Sequence, residues 1–416
     1  MIKNKFIRSL FCSVLGATLF LTSGTGVFAE REYYPGYYDE YGYYDDSKKE
    51  FIFYDEYSKN AAIAAGVVTP TPTPDPHLAS YYEGAQSDNI KDWPAAPAIE
   101  GAAAIVLDVN TQAVLYSKNA DTAMYPASIT KVMTAYLAAE KLNMSDTLTM
   151  SQAAAYGIEP GSSSIYADTG EVFTNEQAMM GLMLESANEL ALALAEETSG
   201  SVKKFVELMN ERARELGCTN THFNNPNGLH EDNHYTCASD MAKIARAAWA
   251  NKTFRKVVTT GYYEIPPTNV QTETRYLGNH HKMMEGKERA YAGVLGGKTG
   301  YTTMSGNTLV TYAYNGKIGV VVVVLNSIDG AYTDTASLLD YVFGNFQRVS
   351  LNYDLDANAS EEFHADRQYY ATLPINAPIK ELEKRSHVET LTDGKKAQID
   401  EYYFNDQLVG SATLNS

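Results

Sequence analysis

Apolar positions along the chain follow two different periods, and the change from one to the other marks out the elements. "AAAIVLDVNTQAVLYSKN" reads as two strands joined by a turn at Asn110-Thr111. From 128 to 142 the apolar residues fall at helical spacing, and the same spacing returns over 175–198, 202–216 and 239–249. "GGKTGYT" and "GNTLVTYAYNGKIGVVVVVLNS" then read as strands, with Asn315-Gly316 as a two-residue hairpin signal. A last helix is predicted over 334–346. The run 320–325 lacks alternation, as expected of a central strand buried on both faces. Strands, many helices, then strands and a helix predict an α+β fold, an antiparallel sheet covered by helices.

The flanks are patterned differently. Residues 1–29 read as a cleaved secretory signal: Lys3, Lys5 and Arg8 precede an apolar run, and Val27 and Ala29 suit a cleavage site. The apolar run is short for a membrane span. Residues 30–96 are rich in tyrosine and acid, sustain no period, and contain the spacer "TPTPTPDP". They are expected to be a disordered tether or contact arm. The folded domain is expected over 97–348. A small β module, with a turn at Asp393-Gly394, is expected over 349–416.

Charge narrows the partners. A formal net charge of -18 argues against nucleic acid and against docking on an anionic membrane through charge. Of the three cysteines, Cys12 lies in the signal, and Cys218 and Cys237 are expected to be buried free thiols. No histidine spacing fits a metal site, so no cofactor or metal is expected, and His280-His281 reads as surface.

Three short motifs could carry chemistry. Ser128 and Lys131 share a helix face, one turn apart. A serine at a helix start is near backbone N–H groups, and a desolvated lysine beside it can act as a base. The bland reading is a helix cap with a solvated lysine. Ser201 and Lys204 have the same spacing with nothing to recommend them. Ser186 and Asn188 offer a hydroxyl and an amide in a continuing helical pattern, but several other Ser-x-Asn stretches occur. Lys298 and Thr299, flanked by glycines in "GGKTG", offer a positive charge and a hydroxyl on a strand that a ligand can approach closely. In the order S-x-x-K, S-x-N, K-T-G, the trio is that of penicillin-recognising serine enzymes.

Together with "YPASITKVMTA", "GLMLESANELALALAE", "THFNNPNGLHEDNHYTCASDMAKIARAA" and "GGKTGYT", the chain resembles the serine-type D-Ala-D-Ala carboxypeptidases, the low-molecular-weight penicillin-binding proteins, over about residues 97 to 348. The resemblance implies a β-lactamase/transpeptidase-like domain. It implies that Ser128 attacks the carbonyl between the terminal D-alanines of a peptidoglycan stem peptide and that Lys131 takes its proton. Ser186 and Asn188 would assist proton transfer and hold substrate. Lys298 and Thr299, with Gly300, would bind the terminal carboxylate, and the N–H groups of Ser128 and Tyr301 would form the oxyanion hole. β-Lactams would acylate Ser128. The His222 to His234 stretch would be a structural loop.

Two departures stand out. "NSIDGAYTD" lacks the basic residue that many relatives carry after the last central strand, and "GSATLNS" is not followed by the amphipathic membrane helix with which many end. Rival readings are a β-lactamase, for which no E-x-x-L-N segment is found, a transpeptidase, and a non-catalytic wall-binding protein on the same fold.

Overall fold

The computed structural model describes residues 42–45, 50–53, 84–352, 364–365, 368–390 and 395–415. The signal segment, the 69–76 spacer and the Asp393-Gly394 turn lie outside the described residues. The chain divides into two compact units, 1–76 and 77–416. In the first, Gly42–Asp45 pairs antiparallel with Glu50–Phe53, so a hairpin stands inside the segment expected to lack structure. Short aromatic stretches such as "GYYD" and "EFIF" suit strands without needing a long period.

The second unit is built on a five-stranded antiparallel sheet of β1 (Ala103–Asp108), β2 (Val114–Lys118), β3 (Val294–Thr302), β4 (Gly306–Tyr314) and β5 (Gly319–Ser327). The spatial order is β2-β1-β5-β4-β3. As expected, the valine run in β5 is central and buried on both faces. Val321, Val323 and Leu325 join one hydrophobic cluster, while Val320, Val322 and Val324 join another. Alternation is absent because both faces are dry.

The first cluster lies under the long helices α1 (Lys131–Lys141), α2 (Asn175–Leu184), α3 (Asn188–Ser199), α4 (Val202–Glu215) and α5 (Ala238–Ala250), and the short helices Gln152–Tyr156 and Lys252–Val258 also contribute to it. The second lies under α6 (Ala331–Asn345) and the C-terminal strands β6 (Phe346–Ser350), β7 (Tyr370–Pro374), β9 (Lys396–Phe404) and β10 (Gln407–Asn415), and the largely exposed edge strand β8 (Glu383–Thr390) extends the same sheet. These strands form the expected β module in the order β6-β7-β10-β9-β8. Thr372 on β7 donates to Asp108 Oδ2 at 2.7 Å, so the module is joined to the end of β1 by a buried polar contact.

Four expectations need correction. The body begins before residue 97: the buried Trp93 indole donates to the Leu115 carbonyl at 3.1 Å and its ring meets Phe346 edge-on. A single aromatic anchor has no period to read. The Asn315-Gly316 hairpin has a four-residue loop, since Tyr314 pairs with Gly319; Asn315 Oδ1 accepts from the N–H groups of Lys317 and Ile318 and widens the turn. The pattern over 175–198 is two helices, broken at Ser186, whose φ is 59°. Apolar residues resume in phase after the break, which hides it from periodicity. Lastly, α1 begins at Lys131, and Ser128 sits in the preceding 3-10 turn Ala127–Thr130.

Replacing Leu325, fully buried at the sheet centre, by alanine is expected to destabilise the fold by about 2–5 kcal/mol. A lower midpoint in chemical denaturation would be the readout; an unchanged midpoint would contradict the central placement of β5.

Candidate active site

Edge strand β3 runs past the 3-10 turn that carries Ser128. Gly300 makes this approach possible: a Cβ there would lie 2.9 Å from the Ser128 nitrogen and 2.3 Å from Thr308 Oγ1. The turn is pinned to the neighbouring strand by Thr308, whose hydroxyl donates to the Pro126 carbonyl at 2.8 Å. On another side the loop after α4 closes in. Gly228 has φ of 87°, and a Cβ there would come within 1.9 Å of the Ala127 carbonyl. Ala127 itself adopts φ of 51°, so the residue before Ser128 is held in the left-handed region.

Lys131 is fully buried, and its Nζ lies 2.9 Å from Ser128 Oγ, 2.7 Å from Asn188 Oδ1 and 2.6 Å from the Asn227 carbonyl. Burial, and next the neighbouring Lys298 charge, push its ammonium well below the usual lysine range; Glu189 acts in the opposite sense. Ser128 is not a helix cap, for no side-chain cap bond is made at this end of α1. Its hydroxyl faces the amine and remains partly exposed. The bland reading does apply to the second match: Ser201 caps α4, accepting the Lys204 N–H at 3.3 Å.

Ser186 and Asn188 owe their positions to the helix break. With Ser186 in the left-handed region, its hydroxyl meets Lys298 Nζ at 3.1 Å while Asn188 turns inward to Lys131. Lys298 is buried and also donates to the Thr299 carbonyl at 2.8 Å. Burial pushes its pKa down to about 7. Thr299 is partly buried, Gly300 buried, and Tyr301 exposes 58% of its surface. Hydrogen bonds thus link Ser128, Lys131 and Asn188 in one set and Ser186 and Lys298 in a second. Gly300 brings the K-T-G strand against the Ser128 turn. Among the described residues, no cluster of three or more His, Cys, Asp or Glu side chains could hold a metal.

Comparisons with known proteins give the family. The family model for D-alanyl-D-alanine carboxypeptidase matches residues 91–329. The chain belongs to this family. It is 33% identical over 308 residues to the D-alanyl-D-alanine carboxypeptidase DacF of Bacillus subtilis (strain 168), covering 71% of this chain and 75% of that one. It is 30% identical over 287 residues to DacA of Escherichia coli (strain K12), covering 65% and 68%. Among solved structures, the Streptomyces K15 DD-transpeptidase is similar with a TM-score of 0.56 and 31% identity, over 60% of this chain and 100% of that one. Penicillin binding protein 6B from Escherichia coli, at 24% identity, is similar in fold with a TM-score of 0.61, over 79% of this chain and 99% of that one.

Within this carboxypeptidase domain, several site residues escaped the sequence. Asn227 contributes a backbone carbonyl, which no motif can show. His234 is buried in the same loop: its Nδ1 accepts the Asn224 N–H at 3.1 Å, so Nε2 carries the proton and donates to Thr130 Oγ1 at 2.8 Å. Burial, with His222 and Lys131 nearby, holds its pKa down to about 3. The His222 to His234 stretch is a loop, as expected. The surface reading of His281 is overturned; it is buried, 2.8 Å from Thr311 Oγ1, whereas His280 pairs with Glu185. Cys218 and Cys237 are buried and free, as expected.

A Gly300→Val side chain would push β3 away from the Ser128 turn. Displacements of this kind cost about a hundredfold in rate. Penicillin acylation of the variant, timed by mass spectrometry, is expected to slow by about that factor with circular dichroism unchanged; a wild-type rate would show that the close approach is dispensable.

Proposed function

We propose that this protein is a serine-type D-Ala-D-Ala carboxypeptidase acting through an acyl-enzyme on Ser128. The observation that carries the reading is the set of partners around Lys131. Two of its three neighbours, Asn188 Oδ1 and the Asn227 carbonyl, can only accept. A neutral amine has two N–H bonds and one lone pair. With both N–H bonds given to those oxygens, the lone pair faces the Ser128 hydroxyl. Burial favours that neutral form.

In this reading Ser128 Oγ attacks the carbonyl between the two terminal D-alanines, and Lys131 takes the hydroxyl proton. The N–H groups of Ser128 and Tyr301 stabilise the oxyanion. The C–N bond breaks, and the departing amine receives a proton relayed through Lys131 and Ser186. Water then hydrolyses the ester, restoring Ser128. Asn188 holds Lys131 and the substrate amide, while Lys298, with Thr299 and Gly300, receives the terminal carboxylate. β-Lactams enter the same path and remain on Ser128. The substrate is the peptidoglycan stem peptide, reached outside the cytoplasmic membrane after export directed by residues 1–29. Among the described residues, no helix is long and apolar enough to cross a membrane.

Intact-mass measurement after incubation with penicillin is expected to find one adduct, mapped to Ser128, and D-alanine release from a D-Ala-D-Ala peptide. Ser128→Ala should lose both, and Lys131→Gln should slow acylation by about 10²–10⁴. Fast β-lactam turnover would instead mark a β-lactamase, and absence of any adduct would mark a wall-binding protein.

The pH profile is a second test. Lys298 is charged below about pH 7 and loses its proton above it. kcat/KM for peptides with a free terminal carboxylate is therefore expected to fall as pH rises through about 7. A profile flat to pH 9 would contradict carboxylate binding by Lys298.

A further inference from the structure

His281 is a buried histidine that the proposed reaction leaves unused. It exposes 1% of its surface, and its Nε2 lies 2.8 Å from Thr311 Oγ1. Its Nδ1 is buried with no hydrogen-bond partner among the described residues. A buried polar atom left unpaired is destabilising, so packing alone favours an apolar residue at this place. The position of the ring gives a different reason for it. Thr311 on β4 pairs with Gly297 on β3. A Cβ on Gly297 would lie 2.7 Å from His281 Cδ2 and 2.9 Å from His281 Nε2. The imidazole therefore fills the space that a side chain at 297 would take. Successive side chains on a strand point to opposite faces, so the ring backs β3 on the face away from the Lys298 side chain. β3 is the edge strand of its sheet, held by one ladder to β4. A backing of this kind keeps such a strand from shifting and carrying its buried amine with it.

The same turn reaches the other wall of the Lys298 pocket. His280 pairs with Glu185 at 3.0 Å, and Glu185 precedes Ser186, whose hydroxyl meets Lys298 Nζ at 3.1 Å. The turn itself is fixed. Asn279 Oδ1 accepts the His281 N–H at 2.9 Å, and Asn279 Nδ2 donates to the Thr260 carbonyl at 3.0 Å. The Tyr332 ring, on α6, meets the His281 ring edge-on. Its hydroxyl accepts the Lys282 N–H and donates to the His280 carbonyl, both at 3.3 Å. Two adjacent residues of one rigid turn thus bear on the two segments that bring Lys298 and Ser186 together. We propose that His281 is a positioning residue for Lys298, backing β3 at Gly297 so that the amine stays against Ser186 in the carboxylate site. This inference rests on the carboxypeptidase reading and adds to it a residue, outside the three motifs, on which recognition of the terminal carboxylate depends.

The test compares two N-acetylated peptides ending in D-Ala-D-Ala, one with a free terminal carboxylate and one with a terminal carboxamide. Release of D-alanine or D-alaninamide is measured. For the wild-type protein, kcat/KM is expected to favour the carboxylate by about 10–100-fold, as for a hydrogen bond to a charged group. Lys298 holds the carboxylate in the ground state and the transition state alike, so misplacing it raises KM and spares kcat. In His281→Ala the ratio should fall to about one, through a raised KM for the carboxylate peptide alone. Thr311→Val removes the partner of Nε2 at nearly constant volume. It should lower the ratio in the same sense, and it carries the test if His281→Ala does not fold. A wild-type ratio in Thr311→Val or in folded His281→Ala overturns the proposal. So does an equal loss for both peptides, the mark of a purely structural role, and so does a wild-type protein without the carboxylate preference. Penicillin labelling of Ser128 in the same samples separates the two readings. A labelled, D-alanine-releasing enzyme whose variants keep the ratio sinks only the role of His281; no label and no release in the wild-type protein sink the carboxypeptidase reading itself.

Discussion

The structure turns on one buried amine. Lys131 has no exposed surface, and the partners its Nζ requires come from three separate segments: the turn at Ser128, the start of α3 at Asn188 and the loop carbonyl at Asn227. An isolated buried ammonium is costly, and an unbonded buried amine is costly too. The lysine is therefore tolerable only when all three segments are in place. Assembly of the site and packing of the helical layer are one event, because α1 and α3 both contribute side chains to the same hydrophobic cluster.

Two strained residues follow from that constraint. Ala127 and Ser186 both adopt left-handed backbone, each next to or at a proposed functional serine. Each such conformation costs roughly 1–3 kcal/mol and has to be imposed by neighbours. At Ala127 the Thr308 bond to Pro126 and the close packing of Gly228 do so. At Ser186 the Ala187 N–H reaches back to Gly181, and Glu185 accepts the Gly278 N–H at 2.6 Å. Thr308 on the sheet and the segment at Gly278 thus help hold the two serines in positions an unbroken helix would not allow.

The two lysines are coupled. Both are buried, and the Lys298 charge is among the causes that lower the pKa of Lys131. A substrate carboxylate beside Lys298 would favour its charged form, and a charged Lys298 favours a neutral Lys131. The anion site and the base then support each other through the electrostatics of a dry site rather than through a shared hydrogen bond.

How much of this was legible in the chain varies with the kind of interaction. Elements with long, regular apolar periods were read well: the strand pair from Ala103, the valine run of β5, and α1, α4 and α5 to within a few residues. The order of Ser128, Lys131, Ser186, Asn188, Lys298 and Thr299 is visible in the chain as well, because side-chain chemistry is written in residue types. The break at Ser186, the four-residue hairpin loop, the Trp93 anchor and the burial of His281 were not legible. Three of them are decided by partners distant in sequence: Gly278 for Glu185, Phe346 for Trp93, Thr311 for His281; the loop is set by the direction in which the Asn315 side chain turns. The sequence by itself determined the layers and the candidate reactive groups, since periodicity and chemistry are local properties. Only the tertiary structure decided which oxygens face Lys131, because a backbone carbonyl such as that of Asn227 has no residue type, and its place depends on how the loop packs against the Ser128 turn.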